Sequence, residues 1–162
     1  MKERKCERSK KKMEVCILKQ RFQTIDGETL MSTPLPPIRF IINGLLPQGL
    51  HILAGAPKVG KSWLALWLCL CVAKGEPLWE LPATKGDVLY LCLEDSYSRI
   101  QTRLLGITDD APDNLFFATM SEKLRSGLER QIEHFLIERP GTSLIVIDTL
   151  QRIRIAANDV NP

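Results

Sequence analysis

The chain has 162 residues, 44% of them hydrophobic and 25% charged, a balance that suits one soluble globular domain and excludes disorder throughout. Its net charge of +3 is unevenly placed. Residues 1–20 hold eight Lys or Arg against three Glu, so the remainder sits near −2 and the body is not basic. The apolar run Trp63–Ala73 has eleven residues, well short of the roughly 20 that span a bilayer, and no membrane partner is expected.

In chain order, the basic stretch "KERKCERSKKK" reads as a solvated, flexible tail that could touch nucleic acid phosphates. It lacks the apolar core and small-residue cleavage site of a secretory signal. Five cysteines, Cys6, Cys16, Cys69, Cys71 and Cys92, form no CxxC pair, which argues against a zinc site or a disulfide framework and points to a reducing cytoplasm. The segment "DGETLMSTPLPPIRF" is rich in turn formers and reads as an extended linker. Residues 1–37 are therefore expected as tail and linker, and residues 38–162 as the folded part.

From there short and long apolar segments alternate. The pattern predicts a strand "LHILAG", a helix over Lys61–Lys74, a strand "DVLYLCLE" and a helix over about Ser96–Leu105. A strand "NLFFAT", a helix over about Glu122–Glu138 and a strand "SLIVIDTL" follow. Strands alternating with helices imply an α/β fold, a mostly parallel sheet with helices on both faces. Gly75, Gly106 and Pro140-Gly141 punctuate the helix ends. In the third helix Leu124, Leu128, Ile132 and Phe135 make one apolar stripe.

Three motifs carry chemistry. Residues Gly55, Ala56, Pro57, Lys58, Val59, Gly60, Lys61 and Ser62 satisfy G-x-x-x-x-G-K-[ST] between a predicted strand and a predicted helix, the phosphate-loop context. Glycines there let successive N–H groups converge on an anion, and the helix dipole adds to the attraction. Lys61 is placed to reach the β- and γ-phosphates and Ser62 to ligate Mg²⁺. Trp63, next on the helix, is grouped with the loop as nucleotide-binding.

The second motif, "SLIVIDTL", puts Asp148 at the carboxyl end of a parallel strand, where ligands of open α/β sheets bind. A carboxylate there can hold Mg²⁺ through water. The third, "LYLCLEDS", puts Glu94 and Asp95 at the end of a strand expected beside that of Asp148. Glu94 is read as the group that polarises the attacking water, and Asp95 as the N-cap of the next helix; the reverse assignment stays open.

With these sites in place the chain resembles the RecA-like P-loop ATPases, and within them the RepA-like hexameric helicases of plasmids and phages, often described only as AAA-type ATPases. The resemblance rests on "FIINGLLPQGLHILAGAPKVGKSWLAL", "GDVLYLCLEDSYSRIQTRL" and "LIVIDTLQRIR". It implies ATP and Mg²⁺ as ligands, hydrolysis at a subunit interface of a homo-oligomeric ring, and single-stranded DNA as a partner. Glu94 matches the family's catalytic glutamate and Asp148 its metal-linked aspartate. Arg103 matches an arginine placed near the adenine; its plainer reading is a solvated neighbour of Arg99. Arg152 and Arg154 read equally as surface residues or DNA contacts.

The family's sheet continues beyond the Asp148 strand, with the next strand inserted between that strand and the phosphate-loop strand. The resemblance thus implies a fold truncated after the Walker B strand, with "DVLYLCLE" beside the Asp148 strand and "NLFFAT" outermost. It also implies a chain that is aggregation-prone and weakly active by itself. Two other readings are a nucleotide-binding remnant or interaction module without turnover, and a P-loop small-molecule kinase. The acid after the second strand argues against the kinase.

Overall fold

The computed structural model describes residue 22 and residues 24–154; the basic stretch within residues 1–20 lies outside them. The chain divides into two units, Met1–Pro37 and Ile38–Pro162. In the first, a helix α1 (Gly27–Ser32) stands where an extended linker is predicted. Asp26 explains it. Its carboxylate accepts from the Thr29 N–H at 2.9 Å and the Thr29 hydroxyl at 2.6 Å, which offsets the low helix propensity of Gly27.

The second unit opens with a small antiparallel pair, β1 (Phe40–Ile42) and β2 (Leu46–Pro47). Then come α2 (Lys61–Lys74), β3 (Asp87–Cys92), α3 (Tyr97–Leu105), β4 (Leu115–Ala118), α4 (Leu128–Glu138), β5 (Thr142–Asp148) and α5 (Leu150–Ile153). Strands β3, β4 and β5 form a parallel sheet in the order β4-β3-β5. That is the order expected for these three.

Alternation along β3 divides the core in two. Val88, Tyr90 and Cys92 face α2, where they meet Leu66, Cys69, Leu70 and Val72 together with Ile100 of α3. Leu89 and Leu91 face the other way, onto Leu128, Ile132 and Phe135 of α4 and Ile153 of α5. Helices thus cover both faces, as a parallel sheet requires. Helix α2 is apolar nearly all round because it packs in one cluster not only with the sheet but also with Leu78, Ile42 of β1 and Ile100 of α3, with seven of its residues buried.

Two elements differ from expectation. Helix α4 begins at Leu128 rather than near Glu122, because Arg125 (φ 61°) and Gly127 (φ 142°) break the helical path. The turn is held by the Glu129 carboxylate, which accepts from the Arg125 N–H at 2.7 Å. Leu124 still packs with the α4 stripe. The second difference is larger. The predicted strand "LHILAG" is not a strand: residues 50–56 are irregular, and Leu50, Ile52 and Leu53 are exposed at 95%, 77% and 56%.

A strand exists only where another backbone completes its hydrogen bonds. Among the described residues no backbone hydrogen bond joins residues 50–56 to the sheet. Among the described residues strand β5 pairs with β3 alone, and all seven of its residues are half-buried.

The start of the β3–β5 ladder is set by Gly86. A side chain there would come within 1.8 Å of the Ser143 hydroxyl, so glycine is required for the two strands to approach. At the opposite face of the core, Leu66 is 1% exposed between helix and sheet. Leu66→Ala should lower stability by about 2–5 kcal/mol, read as a fall in the denaturant midpoint; an unchanged midpoint would contradict the packing described.

Candidate functional site

The phosphate-loop sequence forms a turn over Pro57-Lys58 that ends in Gly60 at φ 91°, a left-handed conformation that glycine adopts without strain. Helix α2 starts at the next residue with no side-chain cap on its N-terminal N–H groups. The Lys61 ammonium folds back over the loop and donates to the carbonyls of Gly55 at 2.9 Å and Ala56 at 2.7 Å. The loop and the lysine are one unit. Residues 55–60 are exposed and Ser62 is half-buried.

Opposite the loop lie the carboxyl ends of β3 and β5. Their register pairs Cys92 with Asp148, and the Leu93 N–H donates to the Asp148 carbonyl at 2.8 Å. Glu94 therefore leaves its strand level with Asp148. Ser62, Glu94, Asp95, Arg99, Arg103 and Asp148 line one small cavity of about 140 Å³. Few water volumes would fill it, which suits a hydrated ion with part of a phosphate group rather than a whole nucleotide.

Each acid is held differently. Asp148 accepts a hydrogen bond from the Tyr90 hydroxyl at 2.9 Å. Glu94, 49% exposed, accepts from the Thr149 hydroxyl at 3.3 Å, and its Oε1 lies 3.4 Å from Arg152 Nε. Asp95 is 9% exposed and is gripped by two arginines of α3: Arg99 at 3.1 Å, and Arg103 through a two-point fork.

These contacts correct two expectations. Asp95 is not the N-cap of α3; Ser96 takes that place, its hydroxyl accepting from the Arg99 N–H at 3.4 Å. A residue one position earlier than the cap instead reaches along the first two turns. Arg103 is not a solvated neighbour of Arg99 either. Its side chain is only 18% exposed, held by Asp95 and lying 6.0 Å from the Trp63 ring centre.

Trp63 lines a second, larger and mainly apolar cavity of about 430 Å³ with Leu64, Trp67, Gly106 and Ile107. Sequence reasoning missed Tyr90, Thr149, Arg99 and Arg152 as neighbours of the acids. Arg99 could have been found from its i,i+4 spacing to both Asp95 and Arg103; the other three depend on strand register.

Ser62, Glu94 and Asp148 offer a hydroxyl and two carboxylates on one cavity beside the phosphate loop. Mg²⁺ prefers such oxygen donors and takes its remaining ligands from phosphates and water. The residues present therefore fit the ion.

A glycine loop leading into a buried helix, faced by acids at the ends of parallel strands, defines a P-loop NTPase. The chain belongs to the AAA-domain family, whose model matches residues 18–162. That family consists of nucleotide-binding ATPases. No solved structure matches the chain significantly, and among the described residues no helix is long and apolar enough to cross a membrane.

The groups behind the site hold their protons tightly. Burial, then the Asp148 charge and its hydrogen bond, push the Tyr90 phenol well above its ordinary range. Burial also raises the Cys69 thiol and pushes that of Cys92 up to about 11. A folded pKa above the unfolded value means stability that is fully present below the unfolded pKa and lost above it. On the alkaline side the urea midpoint should therefore hold to about pH 8, then fall as pH rises past the unfolded thiol value of about 8.5 and the phenol value of about 10. Tyr90→Phe should remove the later part of that fall; a midpoint that rises between pH 9 and 11 would contradict the burial of these groups.

Proposed function

We propose that the chain carries the ATP- and Mg²⁺-binding core of an ATPase of the RepA-like helicase type, working as a ring on single-stranded DNA. The observation that carries the hydrolytic reading is the meeting of Ser62, Glu94 and Asp148, from three separate elements, on one cavity beside the phosphate loop. The helicase reading is supported by the combination "NGLLP", "GAPKVGKS", "CLEDS" and "IDTL" in one chain, which is narrower than a phosphate loop alone.

In this reading the loop N–H groups and the N-terminus of α2 hold the phosphate chain. Lys61 exchanges its two loop carbonyls for the β- and γ-phosphate oxygens and neutralises charge that grows on them. Ser62 and Asp148 would hold Mg²⁺, which when bound shields the phosphates and orients them. Glu94 accepts a proton from the attacking water. Both of its contacts in the structure fall on Oε1, and they fix the carboxylate so that Oε2 can take that role. Tyr90 keeps Asp148 in place by donating to its Oδ2.

Two substitutions test this. Lys61→Ala should weaken ATP at least tenfold more than AMP, about 1.4 kcal/mol or more of preference, measured by titration; equal affinities in the two proteins would remove the phosphate-loop assignment. Glu94→Gln should leave ATP binding intact and slow turnover of the DNA-stimulated assembly by about 10²–10⁴-fold. Turnover that persists in Glu94→Gln points to another base, and turnover indifferent to single-stranded DNA removes the helicase part alone.

A further inference from the structure

We infer that Asp95 is a positioning residue for nucleotide binding, which acts by fixing Arg103 as a cationic wall of the Ser62–Asp148 cavity. The inference rests on the nucleotide-binding reading of that cavity.

Three observations lead to it. First, the side chain of Asp95 is only 9% exposed, against 49% for the adjacent Glu94. A carboxylate that far from solvent persists as an ion only if it is paired and hydrogen-bonded. Second, the pairing is specific. Both Asp95 oxygens meet Arg103, Oδ2 with one terminal nitrogen and Oδ1 with the other at 3.4 Å, while Oδ1 also meets Arg99 at 3.1 Å. Only the planar guanidinium fork can make that two-point contact, and it fixes orientation as well as distance.

Third, the fork decides where Arg103 points. Its guanidinium lies 6.0 Å from the ring centre of Trp63, the residue after Ser62. Asp95 just beyond β3, Arg103 in the second turn of α3 and Trp63 in the first turn of α2 therefore form one connected series, in which Asp95 and Arg103 line the small cavity and Trp63 lines the neighbouring apolar one.

The charges explain why the wall matters. The cavity carries the carboxylates of Glu94, Asp95 and Asp148 against the guanidiniums of Arg99 and Arg103. Three acids against two arginines leave the lining one negative charge in excess, so the phosphate group that enters with a hydrated cation meets stronger repulsion whenever an arginine leaves the wall. Arg99 is 65% exposed and largely screened, whereas Arg103 is 18% exposed. Arg103 is thus the cation that counts, and Asp95 holds it. Without Asp95 the long side chain regains its rotamer freedom, and re-ordering it opposes binding.

The test is ATP titration of the full chain, unsubstituted and as Lys61→Ala, Asp95→Asn, Arg103→Gln and the Asp95→Asn/Arg103→Gln double variant, with a thermal melt of each. Asp95→Asn and Arg103→Gln should each weaken ATP about tenfold, and the double variant should be within about twofold of Arg103→Gln, because one residue acts through the other. Losses that multiply to about a hundredfold in the double variant would show that Asp95 acts independently and overturn the inference. So would ATP affinity within about twofold of the unsubstituted protein in either single variant.

If Asp95→Asn fails to fold because Arg103 is left unpaired, the double variant removes both charges. Arg103→Gln with unchanged ATP affinity then overturns the inference, and weakened affinity at an unchanged melting temperature in the double variant supports it. ATP binding that is absent from the unsubstituted protein, or unaffected by Lys61→Ala, rejects the nucleotide reading itself. Loss in Lys61→Ala with no loss in Asp95→Asn rejects only the role of Asp95.

Discussion

The parallel register between β3 and β5 is the constraint on which the site depends. Pairing Leu91 with Ile147 and Cys92 with Asp148 brings the carboxyl ends of two strands, distant in sequence, to one level. Side chains alternate along a strand, so a slip of one residue would send Asp148 to the opposite face. Packing opposes the slip. Leu144 and Val146 of β5 pack with the α2-side cluster and Ile145 and Ile147 with the α4-side cluster, and exchanging the two sets would misfit both faces. The hydrophobic pattern that makes the sheet therefore also levels Glu94 with Asp148.

The third partner comes from α2. Its apolar residues anchor it on the same side of the sheet as Tyr90 and Cys92, with Ser62 in its first turn. The phosphate loop needs no rigidity of its own beyond Gly60 and the two carbonyls that hold Lys61. A buried helix beneath an exposed loop leaves the loop N–H groups open to a ligand. Tyr90 serves both parts, since its ring sits in the α2-side core while its hydroxyl reaches Asp148.

Much of this was legible in the sequence, for physical reasons that differ by element. Helix α2 could be bounded at Lys61 and Lys74 because glycines stand at both ends in left-handed conformations. Strands β3 and β5 were legible as apolar runs ending in acids. Segment 50–56 was not, because "LHILAG" has the composition of a strand, yet strand formation depends on a neighbour that composition does not describe. The start of α4 was missed since Gly127 sits inside an otherwise helical pattern. Asp95 was misread because Asp and Ser are both good caps and adjacent here; only the structure shows Ser96 in that place and Asp95 turned toward Arg103. The pairing of Glu94 with Thr149 and Arg152 spans more than fifty residues and has no local signature.

In the proposed function Ser62 and Asp148, which line the same cavity, hold one Mg²⁺ against a bound nucleotide. Electron paramagnetic resonance with Mn²⁺ in place of Mg²⁺ tests it most directly, since free and bound Mn²⁺ give different signals. Mn²⁺ should be bound by the protein when ATP is present, with phosphorus hyperfine coupling from the nucleotide. Ser62→Ala and Asp148→Asn should each weaken that binding by about tenfold or more. Mn²⁺–ATP bound equally well in both variants would contradict the account.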